Sequence, residues 1–451
     1  MLTINNRKKN KNNHQGLTLI FVMVFGFVAF VTITLGIVSY SIFQSSTIKY
    51  LYRRDLSFHL AEAGIDYYHW HLIQFPEDYT DGTGNSGPYV HNYYDKNGNL
   101  VGRFSSEIIA PVDGTHVVGV RSTGTIVDSS GDTISSPRTI ETYFGYESFS
   151  DSAFVMGSDV TFSSTTVVYG KVFSNGCIKF DGLSSNFVQS AKTMPQCPTQ
   201  TGGNGGVFGT GGPTNFWRYP VPYKDFPAMS TYFSDLYDMS ITSDGRFLSA
   251  QSSTKGWHLV FLSNGTYNTY KVKTFSNTKY NINQETFVDN QAIPVNGVIY
   301  SNSNIFVEVV VNGRVTVVSD GNHTLIINNN ITYFQKYSDD VLGLMSYSDV
   351  KIAYDVPTNM EINAVLLSIN GKVGRDYYGG HPGTDKRDSL LFFGSIVSYA
   401  GSGFKYLNSN GEIISGFVNT TYIYDGNLLY QPPVGIPVVP QYRLISWKEV
   451  K

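Results

Sequence analysis

The sequence predicts a mainly β protein with one long amino-terminal α-helix, followed by a small antiparallel sheet and then a β-solenoid, with a two-sheet β-sandwich as the alternative. Three observations carry this prediction. An uncharged apolar run opens a helical pattern that contains no proline before Pro76. Only 15% of the residues are charged, whereas 14% are aromatic. Beyond the helix, short Val, Ile, Tyr and Phe runs alternate with Gly, Asn and Ser, as strands alternate with turns.

The apolar run, Leu17 to Phe43, predicts a transmembrane segment. At 1.5 Å per helical residue it spans about 40 Å, enough to cross a bilayer with some tilt. A cleaved secretory signal has a shorter apolar core and a nearby small-residue cleavage site. The first Ala-x-Ala pattern, Ala61 to Ala63, comes far downstream. Four basic residues before the run predict that the amino terminus lies inside and the body outside: Arg7, Lys8, Lys9 and Lys11.

The helical pattern continues beyond the membrane segment, from Gln44 to Leu72, as an amphipathic helix. Apolar and aromatic residues that recur at gaps of four, four, three and four predict its buried face: Tyr52, Leu56, Leu60, Ala63 and Tyr67. Small residues at Ala61, Ala63 and Gly64 favour close approach to a sheet or to another helix. Pro76 predicts the end of the helix.

Two motifs in this region resemble those of type IV pilus proteins. The basic leader, residues 1–16, ends in Gly16 before "LTLI", which resembles a prepilin processing site with cleavage between Gly16 and Leu17. The segment "LAEAGI", Leu60 to Ile65, resembles PilX-like pilus assembly proteins. The resemblance implies a pilin-like protein at the cell surface or in a pilus. Its implied partners are other pilin-like subunits, the assembly machinery and membrane lipid. An ordinary anchored amphipathic helix is the alternative.

One position departs from the pilin pattern. Most pilins carry glutamate at the fifth residue of the mature chain, where it neutralises a neighbour's terminal amine, and here that residue is Phe21. A buried amine without a partner is costly. The departure therefore favours a minor, tip or priming subunit, or an assembly factor that stays out of the filament body.

The exposed body divides at about residue 148. Residues 44–148 are predicted to hold the amphipathic helix and an antiparallel sheet, with a hairpin turn at Asn97-Gly98. Residues 149–451 are predicted to form the β-solenoid, and they resemble an uncharacterised domain attached to PilX-like amino termini. A short helix is expected at Asp225 to Ser240 and a hairpin just beyond it. The predicted inward positions are Val298, Ile305, Val307, Val315, Val317, Leu325 and Ile327.

Two cysteines, Cys177 and Cys197, enclose a loop that a disulfide could close in an oxidising exterior. Two unpaired thiols are the alternative. A zinc site is disfavoured because no histidine pair lies near them in the sequence.

No catalytic, cofactor-binding or metal-binding motif is present, and we expect no enzyme activity and no cofactor. His69 and His71 are two residues apart on a helix and point to different faces, so they are expected to serve packing. A formal net charge of −3 without a basic cluster beyond the leader disfavours nucleic acid as a partner.

These features leave two classes of function. The first is a membrane-inserted surface or adhesion protein, for which surface polysaccharide is a conceivable partner. The second is a membrane-anchored polysaccharide-active enzyme. Its first candidate site would combine residues of one polar loop: His381, Asp385, Lys386, Arg387 and Asp388.

Overall fold

A computed structural model describes residues 13–111, 117–128, 130–193, 197, 205–379, 385–429 and 431–450 of the 451-residue chain. The chain is mainly β with one long amino-terminal helix, and it divides into two compact units. The first unit comprises the chain up to Ile109, Gly119–Tyr143 and the residues from Ser446 on. The second comprises Ala110–Val118 and Phe144–Ile445.

The first unit contains helix α1, Asn13–Gln74, which is 62 residues long. It ends two residues before Pro76, as the sequence predicts, because proline disfavours helix in the residue before it. A five-stranded sheet has the order β1-β2-β3-β4-β30. The strands are β1 Tyr89–Tyr94, β2 Leu100–Ile109, β3 Val118–Ile126, β4 Arg138–Ser148 and β30 Val438–Val450.

The predicted hairpin in this sheet is confirmed. Strands β1 and β2 pair antiparallel, and so do β2 and β3. At the turn Asp95 accepts hydrogen bonds from the backbone amides of Asn97 and Asn99, while Gly98 adopts a φ of 83°. The carboxylate therefore closes the turn, and glycine supplies the left-handed backbone. The structure also places the last strand of the chain, β30, in this sheet, which the sequence analysis did not anticipate.

The second unit consists of short strands with one longer helix. Its strands are β5 Phe154–Met156, β6 Val160–Phe162, β7 Thr166–Tyr169, β8 Val172–Ser174, β9 Ile178–Phe180, β10 Leu183–Ser184, β11 Val188–Ser190, β12 Val207–Phe208, β13 Trp217–Arg218, β14 Arg246–Leu248, β15 Gly256–Phe261, β16 Thr266–Phe275, β17 Ile282–Ala292, β18 Val298–Ser301, β19 Ile305–Val311, β20 Arg314–Ser319, β21 Leu325–Tyr333, β22 Val341–Ser346, β23 Val350–Ile352, β24 Asn359–Ser368, β25 Val373–Arg375, β26 Lys386–Ser398, β27 Ser402–Gly403, β28 Lys405–Leu407 and β29 Ile413–Ile423. Helix α2 is Thr231–Ser240, preceded by a 3-10 turn at Pro227–Ser230.

From β18 to β25, each strand pairs in parallel with the strand two places further along the chain. The series β18-β20-β22 and the series β19-β21-β23-β25-β27 follow this rule in register. Strands β22, β24 and β26 continue the first series, and β26 then pairs in parallel with β5. The first strands of the unit therefore follow the last ones in the stack. An antiparallel hairpin, β15-β16, lies in the segment where the sequence predicts one.

The core of the second unit lies on both faces of these strands. All seven predicted inward residues are buried, but the inward assignment is wrong for Val298, which packs on the opposite face from the other six. Ile305, Val315 and Leu325 belong to the larger apolar cluster, whereas Val298 faces a second cluster that includes Phe233 and Leu236 of α2. Helix α2 thus covers the outer face of the central strands, which explains why those strands read as continuous apolar runs rather than as alternating ones.

Candidate functional site: the amino-terminal helix

The residues of the predicted processing site lie inside helix α1. A Cβ atom built on Gly16 would meet nothing within 4 Å, and the Leu17 side chain is 58% exposed. The peptide bond between them is therefore not covered by any described part of the chain. The basic residues of the predicted leader, Arg7, Lys8, Lys9 and Lys11, lie outside the described residues.

The first half of α1 has an apolar surface on which no other described part of the chain packs. From Gly16 to Asp55 every residue except Val31 is exposed, and Phe21 is 56% exposed. Among the described residues, α1 is the one helix that is long and apolar enough to cross a membrane. The helix is thus compatible with anchoring the chain by a single pass.

Two threonines in this half form hydrogen bonds within the helix. The hydroxyls of Thr32 and Thr34 donate to the carbonyl oxygens of Val28 and Phe30, one turn earlier, at 2.7 and 2.8 Å. In hydrocarbon an unsatisfied polar group costs free energy, so this local bonding lets threonine enter a bilayer.

The second half of α1 packs on the five-stranded sheet through glycines. A Cβ on Gly64 would lie 2.2 Å from the Ser122 hydroxyl oxygen and 2.8 Å from the Phe104 ring. On the sheet, a Cβ on Gly124 would lie 2.1 Å from the backbone oxygen of Ser57 and 2.4 Å from the Ala61 nitrogen. A side chain at either position would require a shift. At Gly124 the strand backbone touches the helix backbone directly, and at Gly64 the helix touches side chains of the sheet.

This close approach rotates the buried face away from the predicted one. Leu60 is buried as predicted, but Leu56, Ala63 and Tyr67 are half-buried and Tyr52 is exposed. The buried residues of the second half instead recur at Ser57, Leu60, Ala61, Gly64, Ile65, Tyr68, His71 and Leu72. The glycine and alanine contacts set the rotation, because backbone-to-backbone packing tolerates less shift than contacts between large side chains.

A network of acids and histidines fixes the chain where it leaves α1. Asp78 accepts hydrogen bonds from the Thr80 hydroxyl at 2.7 Å, the Thr80 amide at 2.8 Å and the Gly82 amide at 2.7 Å, with His71 Nε2 at 3.2 Å. These bonds, those from Thr80 first, hold the pKa of the Asp78 carboxyl below its usual value. His71 is buried in this packing, in agreement with a structural role.

A second carboxylate, Asp81, joins the loop to the helix and to strand β1. It accepts a hydrogen bond from the Tyr67 hydroxyl at 3.1 Å and lies 2.7 Å from Nε2 of His91. Burial, followed by the nearby Asp81 charge, raises the pKa of the Tyr67 phenol. The aromatic and polar contacts together hold the last turns of α1 against the sheet.

In the second unit, Cys177 and Cys197 form a disulfide. Both residues are buried, with 4% and 8% of their surfaces exposed. The bond joins Cys177, the residue before strand β9, to Cys197 in the segment after β11.

The loop that the enzyme hypothesis depends on is not arranged as a carboxylate pair. Asp385 is buried, whereas Asp388, three residues on and within the extended strand β26, is exposed. Residues three apart in a strand point to opposite faces. Arg387 donates to the backbone oxygens of Val356 and Tyr354 at 2.9 and 2.7 Å. His381 lies outside the described residues.

No group of three or more His, Cys, Asp or Glu side chains in the described part of the chain is arranged to hold a metal ion. A cavity of about 860 Å³ does lie in the second unit, lined by residues from Phe154 to Tyr422 that include Lys405. The cavity is not predicted from the sequence, because its lining residues come from segments that are far apart in the chain. A lysine inside a short apolar stretch, "GFKYL", is the local signal that could have drawn attention to it.

Comparisons with known proteins found a similar solved structure, but no matching family model and no matching curated sequence. Among solved structures, the chain is similar to the competence-associated pilin ComZ from Thermus thermophilus, with a TM-score of 0.34 and 12% sequence identity. The alignment covers 88% of this chain and 97% of that one. A similarity at this level does not establish a shared fold.

Proposed function

We propose that the chain is a pilin-like, membrane-inserted surface protein of the minor or PilX-like type. The observation that carries the proposal is the continuous helix α1, whose first half is exposed and apolar and whose second half packs by glycine contacts on an antiparallel sheet. An anchor that also served as the spine of a folded subunit would have this form. The partners are then membrane lipid and other pilin-like subunits or the pilus machinery.

The second unit is, in this proposal, a β-solenoid displayed outside the membrane for attachment. Parallel pairing between every second strand supports a solenoid over a sandwich, because sandwich sheets are built mainly from antiparallel neighbours. A displayed, non-enzymatic role is supported by the difference in burial between Asp385 and Asp388, because the polar loop of the enzyme alternative then lacks a carboxylate pair at these two residues.

Phe21 supports a tip position or a role as an assembly factor. In a filament, Leu17 would carry the new terminal amine, among apolar helices. A subunit with others stacked above it would need a carboxylate at its fifth position to neutralise their amines. A subunit with nothing above it has no such need, so Phe21 costs nothing there. The protein would accordingly be present in few copies per filament.

Immunogold labelling of membranes and sheared filaments tests this assignment. An antibody against the second unit is expected to label membranes and, on filaments, only the ends. Regular labelling along the shaft would refute the tip assignment. Absence of the protein from both membranes and filaments would refute the pilin-like role itself.

A further inference from the structure

The cavity in the second unit has the size of a small-molecule site. Its volume is about 860 Å³, within the range of roughly 300–1,000 Å³ typical of ligand pockets. One wall is formed by the parallel strands β23, β25 and β27 together with β28, and β6 contributes to the lining. All of its lining residues belong to the second unit.

Lys405 lines this cavity and has no counter-ion among the described residues. Its Nζ donates to the Thr165 hydroxyl at 2.8 Å and to the Val418 backbone oxygen at 3.1 Å. No carboxylate of a described residue lies within 4.0 Å of it, whereas Lys351 in the same cavity pairs with Asp376 at 2.9 Å. An ammonium has three donors, so one remains for a ligand. Burial lowers the pKa of the Lys405 amine to about 8.

The lining holds four cationic and three carboxylate side chains, and two of the other cations also lack a counter-ion. Arg375 is only 1% exposed; its guanidinium donates to the backbone oxygens of Ala353 and Tyr354, and its Nε has no hydrogen-bond partner. Lys372 is exposed. Neither has a carboxylate within ion-pair distance in the described part of the chain. Because buried charge without a partner is costly, an anionic group entering the cavity would be stabilised.

The remaining lining is suited to a ligand rich in hydroxyls. Four glycines leave backbone groups uncovered by side chains. Polar side chains are distributed around the cavity: Thr161, Ser163, Thr166, Asn370, Ser402 and Tyr406. Many hydrogen-bonding groups together with one unpaired ammonium match a sugar that carries a carboxylate better than they match an apolar molecule.

We propose that this cavity binds an acidic saccharide, whose carboxylate pairs with the Lys405 ammonium. Its role in attachment rests on the proposed display of the second unit outside the cell. Binding itself can be measured on the purified protein, so a failure to bind is distinguishable from a failure of the pilin-like assignment, which is read from labelling of membranes and filaments.

Calorimetric titration of the full-length protein in detergent tests the proposal with matched sugars. Trigalacturonic acid is expected to bind, and its methyl ester, which lacks the charge, at least tenfold more weakly. Lys405→Met should weaken trigalacturonate binding at least tenfold. Lys336→Met is the control, because Lys336 pairs with Glu361 and does not line the cavity, and it should leave binding unchanged.

Several results would overturn the proposal. These are no binding of trigalacturonate, equal binding of its methyl ester, or binding of acetate as tight as that of the sugar. Lys405→Met is expected to fold at least as well as the unaltered protein, because it removes a buried charge. If it does not fold, the exposed Lys372→Met replaces it: a several-fold loss of affinity supports the proposal, and unchanged affinity contradicts it.

The pH dependence of binding gives a second readout. Affinity should fall as pH rises above about 8, where an ordinary lysine would still be charged. Affinity that stays constant up to pH 9.5 would contradict the role of Lys405. The other charged or titratable groups that line the cavity are Asp159, Asp349, Lys351, Lys372, Arg375, Asp376, Tyr406 and Tyr422.

Discussion

At the scale of single residues, Gly64 determines how closely α1 approaches the sheet. A methyl group there would overlap the Ser122 hydroxyl and the Phe104 ring, so Gly64→Ala requires the helix to move. Overpacking costs about 1–3 kcal/mol, and better helix propensity returns up to about 1 kcal/mol. We therefore expect a net loss of about 1–2 kcal/mol in the free energy of unfolding, measured by thermal unfolding in detergent.

The matched control is Gly36→Ala, in the same helix, where a Cβ would meet nothing within 4 Å. It should not destabilise the protein. Equal stability of the two variants would contradict close packing of the helix on the sheet at Gly64.

Asp151 is a second residue whose removal should be costly. It is 12% exposed, and its carboxylate oxygens lie 3.1 Å from the Nζ of Lys224 and 3.5 Å from that of Lys171. Burial raises the pKa of this carboxyl, but the two ammonium groups outweigh it and the net pKa is lowered. Asp151→Asn would leave both lysines unpaired, and we expect a loss of about 2 kcal/mol at pH 7 by thermal unfolding.

The sign of the pH dependence follows from the lowered pKa of Asp151. Its contribution is present above the unfolded-state pKa of about 4 and is lost as pH falls through the lower folded-state value. The difference between Asp151→Asn and the unaltered protein should thus shrink toward pH 2. Asp244→Asn, an exposed site, is the control. A difference that stays constant from pH 7 to pH 2 would contradict the ion-pair explanation.

The sequence predicts residues well where their role is local. Asn97-Gly98 specifies a hairpin turn through neighbouring positions, and the turn is found as expected, with Asp95 closing it. Gly64 was expected to permit close approach, but its partners, Ser122 and Phe104, depend on which strands pair. Lys405 could not be assigned to a cavity from the sequence. Its hydrogen-bond partners, Thr165 and Val418, come close to it only when the chain is folded.

At the scale of elements, the disulfide closes the segment between Cys177 and Cys197, which are 20 residues apart. A loop of that length limits the unfolded chain enough to contribute about 3 kcal/mol. A reducing agent should therefore lower the unfolding temperature of the unaltered protein. The double variant Cys177→Ser/Cys197→Ser should unfold at that lower temperature and be insensitive to reduction. Free thiols that titrate in the native, unreduced protein would rule out the bond.

Element boundaries follow from the sequence more readily than element partners do. Pro76 marks the end of α1, and the hairpin β15-β16 lies in the predicted segment, because both signals are contained within a few residues. The placement of β30 beside β4 is different. Nothing in the alternation of its side chains distinguishes a strand of one sheet from a strand of the other, so its partner is a property of the whole chain.

At the scale of the whole molecule, the chain combines an exposed apolar helix with a large β unit. The first half of α1 has no cover in the described structure, so either lipid or neighbouring helices must cover it. A pilin-like protein uses both in turn, first the membrane and then a filament or its assembly complex. The central claim is that the helix becomes competent for this exchange when the leader is removed.

Amino-terminal sequencing of the protein recovered from membranes tests that claim most directly. Because a Cβ on Gly16 would meet no described atom beyond the neighbouring helix backbone, Gly16→Val should leave the fold intact while blocking the peptidase, which must accommodate the residue before the cut. The account predicts a mature chain that begins at Leu17 in the unaltered protein and retains its leader in the variant. An intact Met1 in the unaltered protein, or a start near Ser46, would contradict it.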